Sequence, residues 1–372
     1  MRKVVVLFGP QLNFKNASYG GGSGGYTRNM ETYMDEFFSD EFIMSPCFHT
    51  VRSGKKTIYN LFLIRFFIDV KRFIESIFSF RKNILVVHIL AQYRTATPRE
   101  FAICFICFLL KIPYLYEIKA GQFDTWYNRT NFLNKRMIKF IISKSSLILC
   151  EGKRYIPFVR NIFNKESFYW PNFVPSKEIP KKIEFMPYSL TQSEPLKVCF
   201  IGYCYEGKGV FDLVLGSTEF QKKNNVAIEL HLVGHESDEF KTFIESSDCK
   251  INVIRHGKQE HDQVLAILRS CHLFCLPTRH LGEGHNNSVN EAMMCHKPII
   301  CTKNGFLTDI LSPSKAIFIE DHGDIRKALE FFVSKPENIN RMIDEASEFF
   351  LSKLHSDKVI PVLCDFYKEM TK

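Results

Sequence analysis

An α/β protein built from two parallel-sheet domains is what this sequence predicts, on three observations. Short apolar, β-branched runs alternate with longer amphipathic segments; the alternation stops at a proline-rich stretch and restarts; and 372 residues suffice for two domains of ordinary size. In the first half the strand candidates are Lys3 to Phe8, Ile84 to Ile89, Tyr114 to Ile118 and Leu147 to Cys150, each a short apolar run. Apolar residues at helical spacing lie between them, over 26–38, 57–79, 98–110 and 131–143. From Trp170 to Pro195 there are five prolines and no helical period, so this stretch reads as a linker. The alternation then resumes with "LKVCFIGY", "IELHLVGH", "KINVIRHG", "HLFCLPT", "KPIICT" and "KAIFIE", followed by a largely helical region over 323–354 and a last helix near 356–371. The expected domains are 1–172, a linker at 173–195, a second domain at 196–355 and a terminal helix at 356–372. Doubly wound sheets bind ligands beyond the carboxyl ends of their strands, so function is expected on strand-to-helix loops facing a cleft between the two domains.

Composition narrows the class. Hydrophobic content of 45% and charged content of 24% exclude a disordered chain, and 36 phenylalanines make an aromatic-rich one. The net charge of +9 hides an asymmetry: residues 1–175 hold 25 basic and 12 acidic residues, a net of +13, against −4 for the remainder. A basic half points to an anionic partner, either a phosphorylated substrate, anionic lipid or nucleic acid, although a solvated basic face would look the same. No nucleic-acid motif accompanies the charge, so nucleic acid is not expected. Residues 55–82 interleave Lys and Arg with Phe, Ile and Leu; such a segment either lies on an anionic membrane or is a crossover helix with a basic exposed strip.

The twelve cysteines sit mostly inside apolar runs, as small hydrophobes do, which points to a reducing, cytoplasmic setting. Cys104 and Cys107 form a C-x-x-C without a second pair or a histidine cluster, and no metal site is expected. The apolar run in "MRKVVVLFGP" is too short for a signal peptide, and no stretch reaches the ~18 apolar residues of a membrane span.

Three loops carry candidate chemistry. After the first strand, "SYGGGSGGYTRN" places Gly20, Gly21, Gly22, Gly24 and Gly25 ahead of a helix expected near Tyr26; glycines let backbone N–H groups approach an oxygen-rich ligand, and a plain tight turn is the alternative. In "FIGYCYEGKGVFDLV" Lys208 leaves the strand six residues after Gly202, within reach of a ligand's phosphates. In "GEGHNNSVNEAMMCHKPIICT" a helix is expected from Ser288, with Glu291 near the end of its first turn and Glu283 on the loop before it. That helix start offers N–H groups to a diphosphate, and Glu291 can accept hydrogen bonds from sugar hydroxyls. Alternatively Ser288 and Glu291 form a capping box.

The stretch "EGHNNSVNEAMMCHKPIICTKNGFLTDIL" resembles the Glu-x7-Glu signature of the retaining GT-B glycosyltransferases of family GT4. "GYCYEGKG", "IELHLVGH", "INVIRHG", "SFYWPNFVP" and "KIPYLYEIKAGQFDTWY" resemble further segments of that family in the same order, over about residues 1 to 320. The resemblance implies the GT-B architecture, two Rossmann-like domains facing across a cleft with the terminal helix packed back on the first. It implies a nucleotide-diphosphate sugar on the second domain and an acceptor from the first, with no cofactor beyond that co-substrate. It assigns the ribose to Glu291, the donor sugar to Glu283, and diphosphate and sugar to Gly284, His285, Asn286, Asn287, Ser288 and Val289. Gly257 and Tyr203 would also line the donor site, and Lys208 would neutralise the departing diphosphate. Tyr203 stands where many members have an arginine, and Lys119 where they have a histidine facing the donor sugar; Lys119 is expected to meet hydroxyls or the anionic partner instead. Many GT-B enzymes need no metal, and the chain contains no D-x-D.

The expected activity is retaining transfer to a saccharide acceptor, polyprenyl-diphosphate-linked in surface polysaccharide assembly, by a cytoplasmic enzyme peripheral to the inner face of the cell membrane. The alternatives are a non-catalytic nucleotide-sugar scaffold and a GT-B-fold nucleotide-sugar epimerase.

Overall fold

The structure is a computed structural model that describes residues 2–10, 22–37, 41–50, 62–119, 121–179, 194–246 and 250–370. The linker residues 180–193, Gly20 and Gly21 of the glycine loop, and 55–61 of the basic segment lie outside the described residues. The chain forms two compact units, the first from Met1–Ala17, Gly24–Pro175 and Ser356–Lys372, the second principally from Ser176–His355.

The first unit holds a parallel sheet of β1 (Lys3–Pro10), β2 (Phe42–His49), β3 (Ile84–Ala91), β4 (Tyr114–Ile118), β5 (Leu147–Cys150) and β6 (Phe168–Tyr169), in the order β2-β1-β3-β4-β5-β6. Seven consecutive residues of β1, Val4 to Pro10, are buried, as a central strand covered on both faces requires. The helices are α1 (Gly22–Glu36), α2 (Phe62–Phe80), α3 (Thr97–Leu109), α4 (Phe123–Arg129), α5 (Phe132–Lys144) and α6 (Tyr155–Phe163). Right-handed crossovers place α2, α3 and α5, which carry the chain one way across the sheet, on one face, and α1, which carries it the other way, on the opposite face. Phe140 of α5 packs against Phe101, Phe105 and Phe108 of α3, with centroids 5.3, 5.8 and 5.5 Å away.

Helix α1 starts at Gly22, not near Tyr26. Gly22, Gly24 and Gly25 therefore belong to its opening turns, where the missing side chain costs less than in a helix interior because the first N–H groups have no intrahelical acceptor.

The second unit repeats the plan. Its elements are β7 (Leu196–Ile201), α7 (Val210–Asn224), β8 (Ile228–Val233), α8 (Asp238–Ser246), β9 (Asn252–Gly257), α9 (His261–Ser270), β10 (Leu273–Leu276), α10 (Asn287–Met294), β11 (Ile299–Cys301), α11 (Leu307–Ile310), β12 (Ile317–Phe318), α12 (His322–Ser334) and α13 (Pro336–Lys353). The strand order is β12-β11-β10-β7-β8-β9, all parallel. From β7 the chain winds towards β9, then returns to β10 on the other side of β7 and winds towards β12. The two directions part between β7 and β10, the place where open α/β sheets leave a crevice at their carboxyl ends.

The last helix, α14 (Ser356–Glu369), returns to the first unit as expected. Val359, Ile360, Leu363 and Tyr367 join a buried cluster with Tyr33 and Phe37 of α1, Leu90 of β3, Trp170 and Phe173. Ser356 N–H donates to Val174 C=O at 3.0 Å and its hydroxyl to Glu36, so the returning chain is fixed at its first residue.

Candidate active site

Two loops meet at the parting of β7 and β10. After β7 the chain passes Gly202 and Tyr203 into a single helical turn, Glu206–Lys208, and Gly209 opens α7. After β10 it runs through Pro277, Thr278 and Arg279 to α10. Their backbones touch: Arg279 N–H donates to Gly207 C=O at 2.8 Å, and a Cβ on Gly209, whose φ is 70°, would lie 2.0 Å from Pro277 C=O. Only glycine satisfies both the left-handed φ and that approach. Gly209→Ala is expected to force the loops apart, costing more than about 1 kcal/mol of stability and lowering kcat together; thermal melting and initial rates check both.

That approach brings the second unit's candidate charges into contact. Lys208 Nζ lies 2.5 Å from Glu283 Oε2, which also accepts from Thr278 Oγ1 at 2.8 Å, while Glu283 Oε1 accepts from Asn286 Nδ2 at 2.9 Å. Burial pushes the Glu283 carboxyl upward, but the Lys208 charge and the hydrogen bonds from Lys208, Asn286 and Thr278 outweigh it, so the pKa is lowered and the group stays ionised. Among the described residues one of the three N–H donors of Lys208 serves Glu283, leaving two for oxygens of a ligand. Gly305, at φ 64°, lies so close behind Glu283 that a Cβ would sit 2.5 Å from its carbonyl oxygen, which fixes the loop from the rear.

Helix α10 starts at Asn287, one residue earlier than expected, and its cap is Asn286: Oδ1 accepts from Ser288 N–H at 2.9 Å and from Ser288 Oγ at 2.5 Å. The capping box between Ser288 and Glu291 is therefore not formed. Val289 is fully buried, and His285 is enclosed with Nε2 2.7 Å from Asn290 Oδ1. Gly284 lies on the loop between Glu283 and the cap. Asn287 Oδ1 is buried and meets no donor among the described residues, which leaves an acceptor at the helix start for a ligand hydroxyl or amide.

Glu291 is buried on α10 and faces His261 of α9, with Oε1 4.0 Å from Nδ1; His261 Nε2 lies 2.9 Å from Glu178 Oε2. An open cavity of about 560 Å³ lies beside this array, lined among others by Glu178, His261, Asp262 and Arg269. Neither Lys208 nor Glu283 lines it, so the ion pair sits apart from that cavity. Tyr203 is 46% exposed with its ring 5.2 Å from that of Tyr205, whose hydroxyl lies 2.8 Å from His280 Nδ1. Gly257 ends β9 with φ 64° and accepts from Gly234 N–H at 2.8 Å.

Lys119 belongs to a buried network of the first unit. It follows β4 at the carboxyl edge of the first sheet, yet its ammonium is buried, 2.7 Å from Glu117 Oε1 and 2.8 Å from Asn172 Oδ1. It serves a core network rather than an exposed surface. Glu117 Oε2 meets His88 Nε2 at 2.9 Å and the Tyr33 hydroxyl at 3.2 Å. A carboxylate only accepts, so Nε2 carries a proton towards Glu117, and Nδ1 pairs with the Tyr367 hydroxyl at 2.6 Å. Trp170 Nε1 donates to Tyr33 at 2.7 Å, and Asn172 Nδ2 to Glu151 at 2.7 Å.

Residues 181–349 match the family Glycosyl transferases group 1. The whole chain superposes on sucrose-phosphate synthase from Thermosynechococcus elongatus with a TM-score of 0.74 at 14% identity, covering 100% of this chain and 99% of that one. Over residues 181–349 the chain is similar to the group 1 glycosyltransferases. An uncharacterized glycosyltransferase of Methanocaldococcus jannaschii is 22% identical over 288 residues, 64% of this chain and 72% of that protein. HepE of Anabaena, solved in complex with UDP, aligns at a TM-score of 0.69 and 10% identity, covering 99% and 100%. At such identities the solved structures speak for the GT-B fold alone.

Four partners escaped the sequence: Thr278 beside Glu283, His261 and Glu178 beside Glu291, and Glu117 beside Lys119. Thr278 had a signal, since it ends "HLFCLPT" at the carboxyl edge of a strand. The others had none, because they come from elements remote in sequence or from the interior of a strand.

Proposed function

We propose that this protein moves a sugar from a nucleoside-diphosphate sugar on the second unit to a saccharide acceptor, with retention at the anomeric carbon, as in family GT4. The observation that carries the reading is the Lys208–Glu283 ion pair at the carboxyl ends of β7 and β10. The reaction breaks the bond between the anomeric carbon and the diphosphate oxygen and forms one to the acceptor oxygen, whose proton leaves with the diphosphate. Negative charge grows on the departing diphosphate, and the two remaining Lys208 donors together with the start of α10 meet it. Glu283 fixes that lysine and accepts from donor-sugar hydroxyls, while Glu291 binds the ribose. This scheme is independent of metal, in keeping with a sequence that lacks D-x-D. Solved neighbours carrying UDP, HepE and the S. aureus protein TarM, support a nucleotide donor.

The acceptor side belongs to the first unit, whose residues 1–175 hold the net charge of +13. A polyprenyl-diphosphate-linked saccharide, extended at the cytoplasmic membrane face during surface polysaccharide assembly, fits that charge. In the loop after β3, Tyr93 and Arg94 hold positive φ values of 39° and 52°, backbone strain of a kind concentrated at functional sites.

Incubation with a panel of labelled nucleoside-diphosphate sugars and lipid-linked acceptors tests the reading, with the product's anomeric configuration read by NMR. Binding without release of nucleoside diphosphate would make the chain a scaffold, and donor turnover without acceptor an epimerase. Glu291→Ala is expected to raise the donor KM about 30-fold, the equivalent of ~2 kcal/mol, with a smaller effect on kcat. An unchanged KM would remove Glu291 from the donor site.

A further inference from the structure

We propose that the side of the first unit formed by α2, α3 and α5 is a docking face for an anionic lipid bilayer. The inference deepens the reading of a lipid-linked acceptor, but its observations belong to the first unit alone. Among the described residues, eleven of the eighteen exposed large apolar side chains lie on these three helices or in the turn after α3, a concentration that scattered surface hydrophobes do not show. The most exposed are Leu63 (64%), Phe67 (65%) and Phe78 (58%) on α2, Leu109 (61%) on α3, and Phe132 (69%) and Leu133 (65%) on α5. On α2 the spacing of Leu63, Phe67, Ile74 and Phe78 makes one strip along the helix, beside the buried stripe of Asp69, Phe73 and Ile77.

The charge around these side chains selects the occupant. Lys71 and Arg72 on α2, Arg81 and Lys82 at its end, and Arg136 and Lys139 on α5 are all exposed. The three helices hold three carboxylates: Asp69 is buried against Arg99, Glu100 is buried under the Tyr116 hydroxyl, and Glu75 alone is exposed, 3.7 Å from Lys71. One exposed ring on each helix lies under a cation: Phe78 of α2 under Arg81 at 5.8 Å, Phe108 of α3 under Lys144 of α5 at 5.2 Å, and Phe132 of α5 under Arg136 at 4.5 Å. Rings and aliphatic chains entering the acyl boundary, with cations at headgroup level, is the arrangement of an interfacial element. A nucleic acid would use the cations but leave Leu63, Leu109 and Leu133 uncovered, since its bases stack on rings. Two copies of the face would oppose their own cations. Among the described residues no helix is long and apolar enough to cross a membrane, so the face would rest on the bilayer.

The full chain is tested by flotation with vesicles of phosphatidylcholine alone and of phosphatidylcholine mixed with phosphatidylglycerol. The chain is expected to float with the mixed vesicles only, and less at high salt. The variant Phe67→Glu/Phe78→Glu/Phe132→Glu is expected to lower the floating fraction at least about tenfold. The charge-reversal variant Arg136→Glu/Lys139→Glu should also weaken flotation. Both should keep wild-type melting and wild-type turnover of a soluble acceptor, which separates lost docking from lost folding. Absence of wild-type flotation on the mixed vesicles overturns the proposal, as does undiminished flotation of the triple variant. A dimer in sedimentation equilibrium that the triple variant abolishes, without any flotation, overturns it in favour of a second copy. Flotation without sugar transfer leaves the docking face standing and removes the proposed activity instead.

Discussion

Lys208→Ala is expected to lower kcat about 10²- to 10³-fold, the loss seen when one fixed donor is removed from a site where charge develops. The loss should fall on kcat more than on donor KM, because the leaving diphosphate gains charge only as its bond breaks. Two effects have to be separated. The variant removes the donors aimed at the diphosphate, and it also leaves the buried Glu283 carboxylate without its ion-pair partner, which destabilises the second unit. Glu283→Gln/Lys208→Ala removes the orphaned charge; melting should recover while kcat stays low. Recovery of kcat along with stability would show that the lysine only supports the loop.

The same pair sets an acid dependence. The folded pKa of Glu283 is lowered, so its contribution to stability is present above the ordinary glutamate value of 4.5 and is lost as pH falls through the folded value. In Lys208→Ala burial is left with less opposing it, the carboxyl shifts upward, and the acid limb of the second unit's melting profile moves to higher pH. A profile that does not move would show that Lys208 is not the charge holding Glu283 down.

Glu117→Ala should produce the largest stability change, about 3–5 kcal/mol on unfolding of the first unit. Alanine leaves the buried Lys119 ammonium, the His88 Nε2–H and the Tyr33 hydroxyl without their shared acceptor. Burial pushes the Glu117 carboxyl up, yet the Lys119 charge, followed by the hydrogen bond and charge of His88, brings it down to about 2. This contribution is therefore fully present above about 4.5 and is lost as pH falls towards about 2. Glu117→Met/Lys119→Met is the informative comparison, because replacing both charges with apolar groups of similar volume should recover much of the loss. Urea unfolding followed by hydrogen exchange should assign the change to β3, β4 and α14. A double variant no more stable than Glu117→Ala would mean that the network's geometry matters more than its charge balance.

The central strands were legible because a parallel sheet covered on both faces requires continuous apolar runs, and Val4 to Phe8 or Leu273 to Leu276 have no other reading at that length. Strand β2 was not, since "FIMSPCFH" carries a proline and a broken apolar pattern, tolerated because β2 is an edge strand paired with β1 alone. Helix α6 was masked in the same way by Pro157 in its first turn, where no intrahelical N–H bond is lost. At the candidate site, Glu283 and Lys208 announce themselves by loop position, because strand ends are readable. What sequence could not supply was direction. Lys119 ends a strand just as a ligand-facing residue would, and only the buried carboxylate at 117 shows that its amine turns into the core. Likewise S-x-x-E reads as a cap until Asn286, two residues earlier, takes the Ser288 N–H.

The return of α14 to the first unit constrains how the chain is made. On the ribosome, synthesis runs from the N-terminal towards the C-terminal end, so every residue of Ser176–His355 emerges before Val359, Leu363 and Tyr367 exist. The second unit can complete itself while the nascent first unit still has an open groove and a His88 side chain lacking its Tyr367 hydroxyl. The unit translated first is thus the one whose interior closes last.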